Sequence, residues 1–176
     1  MVSAPRRTTL YFAAALFSLV LSAAGCASTT TSESQASEPA APAAPDFSST
    51  LIDGTPITLA AKLAQRPVAL WFWAPGCATC NAEAPTVEAT AKKFADTVTV
   101  LGVAWNGTTQ AMSDFAIKHG LTFASVNDAE GKIFEQFGVP VQPAWVFIAR
   151  DGAITTRLGA IDEVSLGTEL QKLGAS

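Results

Sequence analysis

Val68 to Trp73, VALWFW, is an unbroken run of six apolar residues, and no other stretch constrains the fold as much. The run has the length of a strand and no alternating polar positions, so it has to be buried on both faces. A strand covered on both sides belongs at the centre of a layered α/β domain. The flanking segments agree. Asp53-Gly54 signals a turn, with Ile57 and Leu59 alternating behind it as a short strand. Residues from about 77 to 95 read as a helix, with Ala84, Val87, Ala91 and Phe94 on one face; Pro85 is expected to kink or split it. Thr97 to Ala104 is a second β-rich run, and Thr109 to Lys118 is helical, closed by His119-Gly120. Phe123 to Val126 reads as a short strand and Ile133 to Phe137 as a short helix ended by Gly138. Ala144 to Ala149 and Ile154 to Leu158 flank the hairpin turn Asp151-Gly152, and a last helix runs from about Glu163 to Leu173. This order predicts an α/β fold: one largely parallel sheet between two helical layers, with the terminal hairpin adding antiparallel strands.

The 176 residues leave room for a single domain behind a leader and a tail. Arg6 and Arg7 precede Leu10 to Ala24, a run of apolar or small residues broken only by Ser18 and Ser22. A membrane-spanning helix needs about 20 apolar residues, so this run is short for a span and suits a secretory signal over residues 1–25. It ends Ala23-Ala24-Gly25-Cys26. That ending resembles a bacterial lipoprotein processing site, which implies lipid on Cys26; ordinary cleavage nearby would leave Cys26 a free thiol in a secreted protein. Residues 26–45 are expected to be a disordered Ala/Ser/Thr/Pro-rich tether. After Cys26 they carry no Leu, Ile, Val, Met, aromatic or basic residue, and Pro39, Pro42 and Pro45 favour extended turns. The domain proper is expected over 46–176.

Without Arg6 and Arg7 the rest of the chain carries 9 basic and 15 acidic residues and no basic cluster, which excludes the electrostatic footprint of a nucleic-acid binder. Three Cys and one His do not fit the spacings of a four-ligand zinc cage. The Asp and Glu residues form no spaced ligand set, so no metal is expected. His119, the lone His, falls at a predicted helix C-terminus, where partial positive charge is favourable. Trp71, Trp105 and Trp145 are expected in the core, and Trp73 at the rim of the site.

The chemistry is expected at Cys77-Ala78-Thr79-Cys80. Haem attachment would need His after the second Cys, where Asn81 stands, and zinc would need a second pair. An inert Cys pair and a redox dithiol remain, and a pair that follows a buried strand and opens a helix favours the dithiol. The first turn of a helix carries unpaired amide N–H groups and partial positive charge. A sulfur there is favoured as thiolate, so the Cys77 thiol is expected below its free value. Cys80 lies one turn further in, shielded from solvent. Cys77 is therefore the expected attacking thiol and Cys80 the resolving one.

Trp71-Phe72-Trp73-Ala74-Pro75-Gly76-Cys77-Ala78-Thr79-Cys80 resembles the active-site segment of the thioredoxin superfamily. Cys80-Asn81-Ala82-Glu83-Ala84-Pro85 is similar to its exported TlpA/ResA/DsbE-like branch, and Pro140 to Phe147 to the exported DsbE- and DsbF-type proteins of actinobacteria. The likeness covers about residues 46 to 173. It implies a thioredoxin-like fold with the extra helix and strand of the TlpA-like branch. It also implies a proton-exchanging role for Glu83 beside Cys80, and a cis peptide at Pro143, with Gln142 before it offering backbone groups to a substrate chain. Two positions depart from the pattern. Gly76 stands where the family usually has Trp, which opens the surface beside Cys77. Trp71 stands where thioredoxins keep a buried Asp.

The resemblance implies an extracytoplasmic thiol–disulfide oxidoreductase, working without an added cofactor through Cys77–Cys80. Its expected partners are exported proteins bearing Cys thiols or disulfides, and a membrane redox partner that recycles the pair. Oxidation of substrates is the expected direction; the alternative is a reductant of the cytochrome c maturation type. Two further readings are a thiol peroxidase, although no Arg lies near Cys77 in sequence, and a non-catalytic binding module of the same fold. A monomer is expected.

Overall fold

A computed structural model describes residues 44–176, so the expected leader, Cys26 and most of the tether lie outside the described residues. In chain order these form β1 (Ser48–Thr50), β2 (Pro56–Thr58), α1 (Leu59–Leu63), β3 (Val68–Trp73), α2 (Ala78–Lys93) and β4 (Thr99–Ala104). There follow α3 (Thr109–Lys118), β5 (Ser125–Asn127), α4 (Lys132–Gln136), β6 (Ala144–Ile148), β7 (Ile154–Leu158) and α5 (Glu163–Gly174). Five strands make one sheet in the order β5-β4-β3-β6-β7, and β1 and β2 form a separate small hairpin.

The VALWFW run is the central strand, and all six of its residues are buried. It pairs parallel with β4 and antiparallel with β6; β4 pairs parallel with β5, and β7 completes the terminal antiparallel hairpin. Because side chains alternate along a strand, β3 feeds two cores. Ala69, Trp71 and Trp73 face Ala84, Val87 and Ala91 of α2, Met112 and Phe115 of α3, and Leu166 and Leu170 of α5. Val68, Leu70 and Phe72 face Phe47, Ile57, Leu59 and, from α4, Ile133 and Phe134. The expected mixed sheet between two helical layers is present.

Three local expectations are corrected. Leu59 does not continue a strand: Thr58 accepts the Ala61 N–H through its side chain, caps α1, and turns Leu59 into the core as the first helical residue. Pro85 does not split α2, which runs unbroken for 16 residues; the residue lies on the exposed side of the helix, where losing one ladder bond does not disturb the packed face. Trp105 is only partly buried, packing on Phe134 with ring centroids 5.1 Å apart. Among the described residues, no helix is long and apolar enough to cross a membrane.

Candidate active site at the start of α2

At the carboxyl end of β3 the chain turns through Ala74-Pro75-Gly76, and the Cys77 N–H donates to the Ala74 carbonyl at 3.1 Å. Cys77 is the N-cap of α2, and its Sγ accepts the Cys80 N–H at 3.1 Å. A sulfur in this position takes the place of the usual Ser or Asp cap oxygen and receives one of the otherwise unpaired N–H groups. Cys77 and Cys80 are joined in a disulfide with their Cα atoms 5.2 Å apart. Cys80 is fully buried, whereas Cys77 is partly exposed. The expected asymmetry between an outer and an inner sulfur is therefore present.

The other expected residues around the pair fall on both sides of it. Gly76 is exposed, and a Cβ built there would meet nothing within 4 Å. The ground beside Cys77 is open. The Gln142–Pro143 peptide is cis, and the Gln142 carbonyl oxygen lies 4.0 Å from Cys77 Sγ. Pro143 is buried and Gln142 partly so, while Val141 before them is exposed.

Glu83 lies one turn beyond Cys80 on α2 and is only 8% exposed. Its Oε1 accepts the Trp71 indole N–H at 2.7 Å, and its Oε2 is buried without a hydrogen-bond partner. Burial pushes the carboxyl above its ordinary value, against the smaller opposing pull of the Trp71 indole and the Ile161 main chain. The buried Asp128 is different in kind, because both of its oxygens accept N–H groups of Ile133 and Phe134 at the start of α4. Of these two buried acids, Glu83 is the one that keeps an unused oxygen.

Trp73 is corrected. It does not border the rim and cannot touch a substrate there, since it is fully buried. Its register on β3 points it to the face that α3 covers, where its ring stacks on Phe115 at 4.2 Å. Trp71 and Trp145 are buried as expected.

Sequence reasoning missed the residues that hold the turn before Cys77. Asn81 Nδ2 donates to the Pro75 carbonyl at 3.1 Å and to the Cys77 carbonyl at 3.0 Å. Its Oδ1 meets Lys118 Nζ at 2.8 Å and His119 Nε2 at 3.0 Å. On the other side, Gly107 approaches so closely that a Cβ there would lie 2.9 Å from Pro75 Cγ. Asn81 was findable in principle: four residues after Cys77 on a helix, its side chain leans back over the first turn. Nothing in the spacing links it to His119, 38 residues away.

Comparison with known proteins agrees with this geometry. The AhpC/TSA family matches residues 41–157. The soluble secreted antigen MPT53 of Mycobacterium tuberculosis is 41% identical over 109 residues, which is 62% of this chain and 62% of that protein. The chain thus spans less than two thirds of the length of this curated relative. A solved secreted M. tuberculosis disulfide oxidoreductase, described as homologous to E. coli DsbE, is 36% identical with a TM-score of 0.68, covering 72% of this chain and 96% of that one. The solved M. tuberculosis dsbF, in mixed oxidized and reduced forms, is 34% identical with a TM-score of 0.69, covering 72% and 94%.

Proposed function

The chain belongs to the AhpC/TSA family, with a thioredoxin-like fold, and from that premise we propose that it is an exported thiol–disulfide oxidoreductase that oxidises protein thiols. The observation that carries the reading is the disulfide at the cap of α2, with Cys77 reachable and Cys80 buried. A substrate thiolate attacks Cys77 Sγ, the Cys77–Cys80 bond breaks, and Cys80 leaves with the electron pair. A second substrate thiolate then displaces Cys77, giving a substrate disulfide and the reduced pair. The Cys80 N–H and the helix start stabilise the departing Cys77 thiolate. Glu83 serves as the proton donor and acceptor for Cys80, because burial favours its neutral form and one oxygen is uncommitted. The main chain of Gln142 and Pro143 aligns the substrate segment beside Cys77.

Direction follows from how well the thiolate is stabilised, since a favoured reduced form makes the disulfide more oxidising. Trp71 places an indole where the resembled thioredoxins keep an Asp, and a raised Glu83 carboxyl opposes the thiolate less than an ionised one. The reduction potential of the pair is therefore expected above the value of about −270 mV for thioredoxin, measured by equilibration with glutathione. Oxidised protein is expected to speed disulfide formation in reduced, unfolded ribonuclease. A potential well below that of thioredoxin, with no oxidase activity, would assign the chain to the reductants. Failure both to reduce insulin and to oxidise ribonuclease would leave a binding module. Among the described residues the peroxidase reading gains nothing from Arg: Arg66 bonds the Ala95 carbonyl, Arg157 pairs with Glu169, and Arg150 lies in the terminal hairpin turn.

Gly76 sets what can reach Cys77. With Trp in its place, exchange with a folded protein disulfide is expected to slow by about ten- to a hundredfold, the upper figure being what a misplacement of about 1 Å costs. Exchange with glutathione should change far less. Equal slowing of both would assign Gly76 no part in substrate access.

The apolar leader and Ala23-Ala24-Gly25-Cys26 support export and lipid on Cys26, which would tether the domain to the outer face of the cell membrane near its recycling partner; secretion is the alternative. Wild-type protein should partition into detergent and Cys26→Ser should not. A wild type that stays in the aqueous phase removes the anchor and leaves secretion.

A further inference from the structure

Asn81 uses every hydrogen-bonding position that its amide has. The side chain offers two donors and two acceptor positions. Here the donors go to the Pro75 and Cys77 carbonyls, and Oδ1 receives Lys118 Nζ and His119 Nε2. The orientation of the amide is forced, because an ammonium group can only donate and a carbonyl can only accept. For the same reason His119 must carry its hydrogen on Nε2. The Cys77 carbonyl receives both the main-chain N–H of Asn81, at 3.0 Å, and the side-chain N–H.

The two basic residues belong to the end of α3, and the His119 ring is itself packed in place. His119 is the C-cap of that helix, and its ring lies 4.5 Å from Phe115, which stacks on the buried Trp73. Lys118 is exposed, but its ammonium group ends on Asn81, one residue from Cys80. A fixed cation on one end of an amide polarises the N–H groups at the other, so the positive end faces the cap residue. This is the second use of the α3 end, beyond the favourable place that any helix C-terminus offers a cation.

We propose that Asn81 is a positioning residue for the thiol–disulfide reaction: it clamps the turn that carries Cys77 and passes to it the charge of Lys118, with the Nε2–H of His119 as a second, uncharged donor, stabilising the Cys77 thiolate. The inference rests on the oxidoreductase reading for its purpose, but the property it concerns is the titration of Cys77 itself. The groups facing the clamp are Lys118 and His119 from α3, while Glu83 lies on α2 beyond Cys80. Lys118→Met removes charge and leaves the turn intact. Asn81→Ala removes the clamp.

The test uses the reduced full-length protein, following Cys77 thiolate formation by ultraviolet absorbance against pH and the Cys77/Cys80 equilibrium with glutathione. Asn81→Ala is expected to lower the thiolate fraction, below its saturation, by about two- to tenfold, the worth of one hydrogen bond. Lys118→Met should lower it by about two- to fivefold, as an exposed charge near a helix end does. The disulfide should become less oxidising in both. The double variant should match Asn81→Ala alone, because Lys118 acts through Asn81. Unchanged titration in Asn81→Ala, or factors that multiply in the double variant, overturn the proposal. If Asn81→Ala does not fold, Lys118→Met with His119→Phe, which keeps a ring on Phe115, must still shift the titration, and no shift overturns the proposal. A wild type inactive on all protein substrates would remove the oxidoreductase reading instead, and the titration would still report on the clamp.

Discussion

Cys80→Ala protein is expected to lose turnover entirely and to accumulate on its substrates as mixed disulfides through Cys77. The partly exposed Cys77 sulfur can still attack a substrate disulfide, but the buried sulfur that would resolve the adduct is gone. Incubation with oxidised substrate and non-reducing electrophoresis should show adducts that a thiol reductant dissolves. Cys77→Ser should form none, because Cys80 is shielded. In the reduced wild type, Cys77 should be the thiol first alkylated at neutral pH. Adducts formed by Cys77→Ser but not by Cys80→Ala would reverse the two roles.

The second large effect concerns Trp71. This residue is fully buried, lies between Trp73 and Trp145 with ring centroids 5.9 and 6.3 Å away, and holds Glu83. Truncating it to Ala should cost about 3–5 kcal/mol, a large share of the roughly 5–15 kcal/mol that holds a domain together. The thermal midpoint should fall by about 10–20 °C. Trp71→Phe keeps most of the packing and isolates the hydrogen bond. It takes the indole donor away from a buried carboxyl, so the Glu83 carboxyl should move further up. A carboxyl raised in the folded state costs nothing while protonated, and its cost appears as pH rises past the ordinary carboxylate range. Trp71→Phe should therefore lose stability relative to wild type as pH increases. Adding Glu83→Gln should remove that slope. Denaturant unfolding at several pH values checks both, and a slope that survives Glu83→Gln would detach Trp71 from Glu83.

What the sequence determined by itself is what short-range chemistry encodes. An unbroken apolar run has to be a doubly covered strand, so VALWFW could only be central. Asp151-Gly152 and the Gly residues after α3 and α4 ended elements where they were expected to, because φ values of +88°, +61° and +61° suit a residue without Cβ. The Cys pair was legible for the same reason: its sulfurs are three residues apart, and one helical turn brings them together whatever the rest of the chain does. Even the unequal burial of Cys77 and Cys80 followed from which comes first in the helix.

Tertiary structure alone decided which face of β3 meets which helix. Trp73 looked like a rim residue because it sits near Cys77 in sequence, but α3 covers its side of the sheet and closes it off. The short elements β1 and α1 draw their stability from a cap and from docking rather than from any periodic pattern long enough to read. The Trp71–Glu83 hydrogen bond spans 12 residues and the His119–Asn81 contact 38. Neither spacing carries a periodic signal, because such pairings exist only once the helices have packed on the sheet. The Cys pair was written locally; the residues that pack around it were chosen by the fold.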